Sequence, residues 1–103
     1  MKYNKLVRDR IPEIIAAGGK ECVFEVMTEE EYLRMLDRKL EEELAEYRES
    51  KSMEEIADLL EVIRAVVYAR GSSPDEVESI RLAKREKRGG FERRILLKEV
   101  IEQ

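Results

Sequence analysis

Apolar side chains recur every three or four residues along most of this chain, the period of a helix that buries one face. Leu33, Leu36, Leu40, Leu44 and Tyr47 form one stripe, and Ile56, Leu59, Leu60, Ile63, Val66 and Val67 form a second. Thr28 with Glu31, and Ser52 with Glu55, have the spacing of a capping box. Long helices are therefore expected from Thr28 to about residues 49–51 and from Ser52 to about Arg70, with Gly71 as a suitable stop. Ser73-Pro74-Asp75-Glu76 is a third start signal, for a helix running to about Lys87 and halted by Gly89-Gly90. Asp9 is placed to cap a short helix from about Arg10 to Ala17, ended by Gly18-Gly19. Residues 21–27 are rich in strand-forming side chains and read as one short strand. Residues 94–97 are either a strand pairing with them or part of a further helix.

The short connection at 50–52 folds the two long helices into an antiparallel hairpin. The expected fold is all-α: this hairpin plus a third helix, with short strands near 21–27 and 94–97. A hairpin alone cannot close a core. A second copy would complete a four-helix-type bundle, so a homodimer or homotetramer is expected. With 103 residues the chain is read as a single domain, 1–103. Cys22 is the one cysteine, which excludes an intrachain disulfide and suits a reducing, cytoplasmic setting. The charged opening residues lack a signal-peptide h-region, and no apolar run reaches membrane-span length.

Charge sharpens the picture. Residues 28–61 hold 13 acids and 5 bases, whereas residues 62–103 hold 10 bases and 7 acids. Within the acidic block two pairs stand three residues apart, Glu43 with Glu46 and Glu55 with Asp58. Side chains at that spacing leave a helix on one side. Glu43 falls only about 50° from the centre of its leucine stripe, and Asp58 projects among Val62, Ala65 and Ala69, at about 100° per residue. Carboxylates bordering apolar positions are costly unless partnered. The antiparallel turn brings all four to the same end of the hairpin. Four negative charges in one volume need cations among them, and an all-oxygen donor set favours Mg2+, with Mn2+ as a substitute. Glu41, Glu42 and Glu61 are further acids nearby, one of which could support the ligands or act as the base for a water. Glu42 is the catalytic candidate, although it points away from the stripe, as a solvated side chain would.

The bases form a second pattern. Lys84 and Arg88 share a face of the third long helix with Arg81, and Gly89-Gly90-Phe91 follows. This suits phosphates, with Phe91 placed for a base or for the core. Lys5 and Arg8 of the basic N-terminal arm, residues 1–9, are further phosphate candidates; a plain strap pairing with acidic helices is the alternative. The overall acidity, net −4, argues against a long polyanion as partner.

Taken together, Glu42-Glu43-Leu44-Ala45-Glu46 and Glu55-Ile56-Ala57-Asp58 resemble the EExxE and ExxD motifs of the MazG-like nucleotide pyrophosphohydrolases. The opening Tyr3-Asn4-Lys5-Leu6-Val7-Arg8-Asp9-Arg10-Ile11-Pro12 and the Lys84 to Phe91 stretch look like a short phosphoribosyl-ATP pyrophosphohydrolase-like subgroup. The resemblance implies an all-α, Mg2+-dependent oligomer that splits nucleoside triphosphates into a monophosphate and pyrophosphate. It also implies Glu43, Glu46, Glu55 and Asp58 as the metal ligands. The spacer between the motifs is shorter than the family norm. The Tyr-His pair of the histidine-pathway enzymes is replaced by Leu60-Glu61 in a chain without histidine. Clearance of surplus or non-standard nucleotides is therefore the expected role, ahead of histidine biosynthesis. The rivals are a non-catalytic helical interaction module, whose charges only set pairing between chains, and a nucleic-acid-binding regulator.

Overall fold

A computed structural model describes residues 4–102; the first three residues of the basic arm, and Gln103, lie outside that range. It contains four helices, α1 (Ile11–Ala17), α2 (Glu29–Ser50), α3 (Met53–Ala69) and α4 (Pro74–Arg88), and no strand among the described residues. The architecture is all-α, as the periodicity predicts.

Each long helix begins where a hydroxyl satisfies a free backbone N–H. Thr28 Oγ1 accepts from the Glu31 amide at 3.2 Å, Ser52 Oγ from Glu55 at 3.4 Å and Ser73 Oγ from Glu76 at 3.2 Å. The turn between α2 and α3 is closed by Lys51, which takes a left-handed conformation at φ 58° without being glycine. Its amide donates back to the Tyr47 carbonyl at 2.7 Å. Gly71 follows α3 with φ 84°, a conformation that a side chain would strain.

α2 lies along α3 as the main packing of the molecule, and α4 touches α3 lightly. Asp37 meets Arg70 at the open end of the hairpin and Glu43 approaches Asp58 nearer the turn, so the helices run antiparallel. Leu36, 2% exposed, is the buried apolar residue between them. Leu44, Leu60 and Ile63, which the periodicity assigns to inner faces, are exposed in the single chain. The radius of gyration is 18.7 Å, where a compact chain of this length would have about 13 Å. The hairpin is therefore a half-core, with apolar faces open on α3 and α4.

Two local expectations are corrected. Asp9 does not cap α1: Arg10 occupies the cap position and makes no side-chain capping bond. Pro12 within the first turn removes one of the N–H groups that a capping oxygen would accept. Neither 21–27 nor 94–97 forms a strand, and the tail forms no further helix. A lone extended segment needs a partner for its backbone and a face to cover, yet Val23, Val26, Ile95 and Leu96 all stand exposed. Arg94, at φ 58°, breaks both an extended and a helical path at the start of the second segment.

Candidate metal centre

The site is built where α2 and α3 leave their shared turn. Glu43 sits on the edge of α2 that faces α3, about two turns before the helix ends, and only 8% of its side chain is exposed. Glu55 and Asp58 follow in the first turns of α3, one helical turn apart. One carboxylate oxygen each of Glu43, Glu55 and Asp58 falls within 4.8 Å of the others. Glu43 Oε2 and Glu55 Oε2 are buried and have no hydrogen-bond partner. Leaving such an atom unsatisfied costs far more than a typical hydrogen bond contributes. Two of them within one carboxylate cluster mark a place that needs a cation or a proton.

Glu46 takes a different position from the other three. It is exposed and lies at the rim beside Glu43 and Glu55. Burial, and then the neighbouring Glu46 charge, push the Glu43 carboxyl above its ordinary value, against the pull of Lys39. Burial, followed by the charges of Glu46 and Asp58, raises Glu55 in the same direction. Two of the four acids have cationic partners. Lys39 Nζ is 3.5 Å from Glu43 Oε1, and Arg8 Nη2 is 2.8 Å from Asp58 Oδ1. Among the described residues no cation pairs with Glu46 or Glu55, and Lys39 is shared with Glu42, so the group keeps an excess of negative charge that a divalent cation would offset.

Glu42 faces away from this group. Its Oε1 lies 3.2 Å from Lys39 and 4.0 Å from Lys5, in a shallow hollow that also includes Asn4, Met35 and Arg38. Lys39 thus bridges Glu42 and Glu43. Its spacing of three and four residues to the two glutamates is a signal readable in the sequence.

A groove of about 670 Å³ opens from the carboxylates along the hairpin. Tyr32, Leu36, Lys39 and Glu43 line it from α2, and Asp58, Val62, Ala65 and Ala69 from α3. Each set spans twelve residues on one helix face, about 16 Å along the axis. Antiparallel packing gives the groove a polarity: acids near the turn, Lys39 and Arg64 between, and Tyr32 and Tyr68 at the far end. Residues 6–9 of the N-terminal arm flank it. Sequence reasoning did not find Tyr32, Tyr68 or Arg64, because a groove between two helices has no signature along one of them.

Lys84, Arg88 and Phe91 line neither hollow. Phe91 is 96% exposed. The Gly89-Gly90 turn, read as an approach for a ligand, is occupied by the chain itself. Arg85 Nη2 pairs with Glu92 Oε1 at 2.9 Å across it, and a Cβ on Gly90 would collide with both side chains. Cys22 is free, and no helix among the described residues is long and apolar enough to cross a membrane.

The class defined by these features is a helical hairpin with a convergent carboxylate site. No protein-family profile and no solved structure matches the chain. A protein of Mycolicibacterium smegmatis, named only as uncharacterized, is 52% identical over 44 residues. That match covers 43% of this chain and 45% of the other, so it spans less than half of the relative.

Proposed function

We propose that this chain is a Mg2+-dependent nucleoside triphosphate pyrophosphohydrolase, acting on surplus or non-standard nucleotides in the cytoplasm. The observation that carries the reading is Glu43: a carboxylate more than nine-tenths buried, with one oxygen unpartnered, in a cluster with two further carboxylates. A protein keeps such a group charged only if something binds it. The donor set is all oxygen and fits a hard divalent cation, held by Glu43, Glu55 and Asp58 with Glu46 at the rim. When bound, Mg2+ supplies charge neutralisation on phosphate oxygens and makes a water more acidic.

The chain's own residues supply the rest. The phosphates lie at the carboxylate end of the groove, and the nucleoside extends toward Tyr32 and Tyr68. Lys39, Arg64 and Arg8 are the cations along that path and offset phosphate charge. Glu46, exposed beside the buried pair, is the carboxylate placed to accept a proton from the attacking water. Glu42, tied to Lys39 and Lys5, is a positioning residue that holds Lys39 against Glu43. Attack at the α-phosphorus breaks its bond to the bridging oxygen and releases pyrophosphate. Two copies joined through the open apolar faces of α3 and α4 complete a helical bundle and bury the exposed Leu60, Ile63 and Ile80.

The test is a pyrophosphate-release screen over ordinary and modified nucleoside triphosphates with Mg2+ or Mn2+, phosphoribosyl-ATP included. Cation-dependent release of equal amounts of monophosphate and pyrophosphate is expected, and no release from any nucleotide would overturn the assignment. The extent of open apolar surface favours a second reading, a non-catalytic module that pairs helices between chains. On that reading divalent cations leave the melting temperature unchanged.

A further inference from the structure

Arg8 has no place in a helix, yet its guanidinium reaches a carboxylate 50 residues away and lies 2.8 Å from Asp58 Oδ1. Asp58 is one of the three converging acids, and both partners of the ion pair are partly exposed, 58% and 43%. The contact therefore sits at the solvent side of the centre, where a guanidinium and a metal ion draw on the same carboxylate. The neighbours differ. Lys39 grips the oxygen of Glu43 opposite its unpartnered one and is itself largely covered, so it is fixed in place. Arg8 comes from an irregular segment that flanks the groove; its carbonyl accepts from the Ile11 amide at the start of α1, but its guanidinium can leave Asp58 without breaking that bond.

We infer that Arg8 is an exchangeable counter-ion: it holds Asp58 while no divalent cation is bound, and it is released, with residues 5–9 of the arm, when a cation takes that carboxylate. The inference rests on the metal reading above. The freed guanidinium is already beside the groove, where it meets the anionic part of a ligand. Cation and anion then bind in order. The cation displaces the arm from the acid, and the arm closes on the phosphate that the cation brings. By linkage, a contact that the cation breaks must weaken cation binding by the same factor. Exposed ion pairs are weak, so the factor is small, about two- to fivefold.

The experiment measures Mn2+ binding to the full chain, without nucleotide, for the wild type, Arg8→Gln, Arg8→Lys and Arg10→Gln. Arg10 is the control, a neighbouring cation at the cap of α1 that pairs with Glu13 rather than with the centre. Arg8→Gln is expected to bind Mn2+ about two- to fivefold more tightly, with Arg8→Lys in between and Arg10→Gln close to wild type. Amide exchange at residues 5–9 should quicken when Mn2+ is added to the wild type, and should already be fast and insensitive to Mn2+ in Arg8→Gln. A wild type that binds Mn2+ while Arg8→Gln binds no more tightly, or no more tightly than Arg10→Gln, overturns the role of Arg8 alone. A wild type that binds no Mn2+ overturns both this role and the metal centre beneath it.

Discussion

The acidic end of the hairpin and the basic run from α4 into the tail are both dense in charge in the sequence but differ in three dimensions. The acids come from two helices that pack along their length, so their side chains are driven together and one of them, Glu43, is buried. The bases come from one helix that touches a single neighbour and from an irregular tail, so they spread into solvent. Arg81 and Arg85, which belong to that run, answer Glu78 and Glu92 close by. Charge density alone does not make a site. Convergence from two elements does, because burial and mutual repulsion leave groups that require a ligand.

This contrast can be broken most forcefully by mutation. Alanine at Glu43, Glu55 or Asp58 should each reduce cation-dependent pyrophosphate release at least about 100-fold, roughly 2.7 kcal/mol of transition-state stabilisation. The double change Lys84→Ala with Arg88→Ala should cost less than about tenfold. Steady-state kinetics on both sets compares the two regions directly; equal losses would restore the basic run to the site.

Thermal melting gives the next largest effect. Mg2+ at about 100 times its dissociation constant should add about 2.7 kcal/mol of stability, and EDTA should remove it. Glu43→Gln should melt higher than the wild type without cation, because a buried repelling charge is gone, and should gain little from Mg2+. A cation-free Glu43→Gln that melts lower would show that Glu43 is already adequately partnered.

Nucleotide handling separates the two ends of the groove. Tyr32→Ala should raise KM about tenfold, the loss of one stacking contact of about 1–3 kcal/mol. Its Mn2+ affinity should be unchanged.

A pH series sharpens the same point. Glu43 and Glu55 have raised folded values, burial being the larger cause in each. A carboxyl of this kind binds its proton more tightly folded than unfolded. Its stabilising effect is present at low pH and is lost as pH rises from the ordinary carboxylate range through the raised one. The cation-free melting temperature should therefore fall on going from mildly acidic to neutral pH, once the slope of a Glu43→Gln, Glu55→Gln reference is subtracted. With Mg2+ present the slope should flatten or reverse, since the ion competes with those protons.

The smallest effect belongs to the basic end. Phe91→Ser should change stability and turnover within about 0.5 kcal/mol, as for other exposed positions. A large loss in either would place Phe91 in an interface or a site that the single chain does not display.

Much of this molecule is set by short-range chemistry and is legible in one dimension. Thr28, Ser52 and Ser73 mark the three long helices because a hydroxyl satisfies an amide only three residues away. Glu43, Glu55 and Asp58 are identifiable because their spacing sets them on faces bordering apolar stripes. Other features depend on groups far apart in the chain. Glu46 has the same spacing as Glu43, but the packing of α3 decides that one is buried and the other lies at the rim. The Arg8–Asp58 pair, the groove with Tyr32 and Tyr68 at one end, and the failure of 21–27 to find a strand partner all turn on which surfaces meet. Helix boundaries and facing follow from energies between near neighbours, which the order of residues contains directly. Which charges are desolvated and which stay in water follows from distances between segments, and those exist once the hairpin has closed.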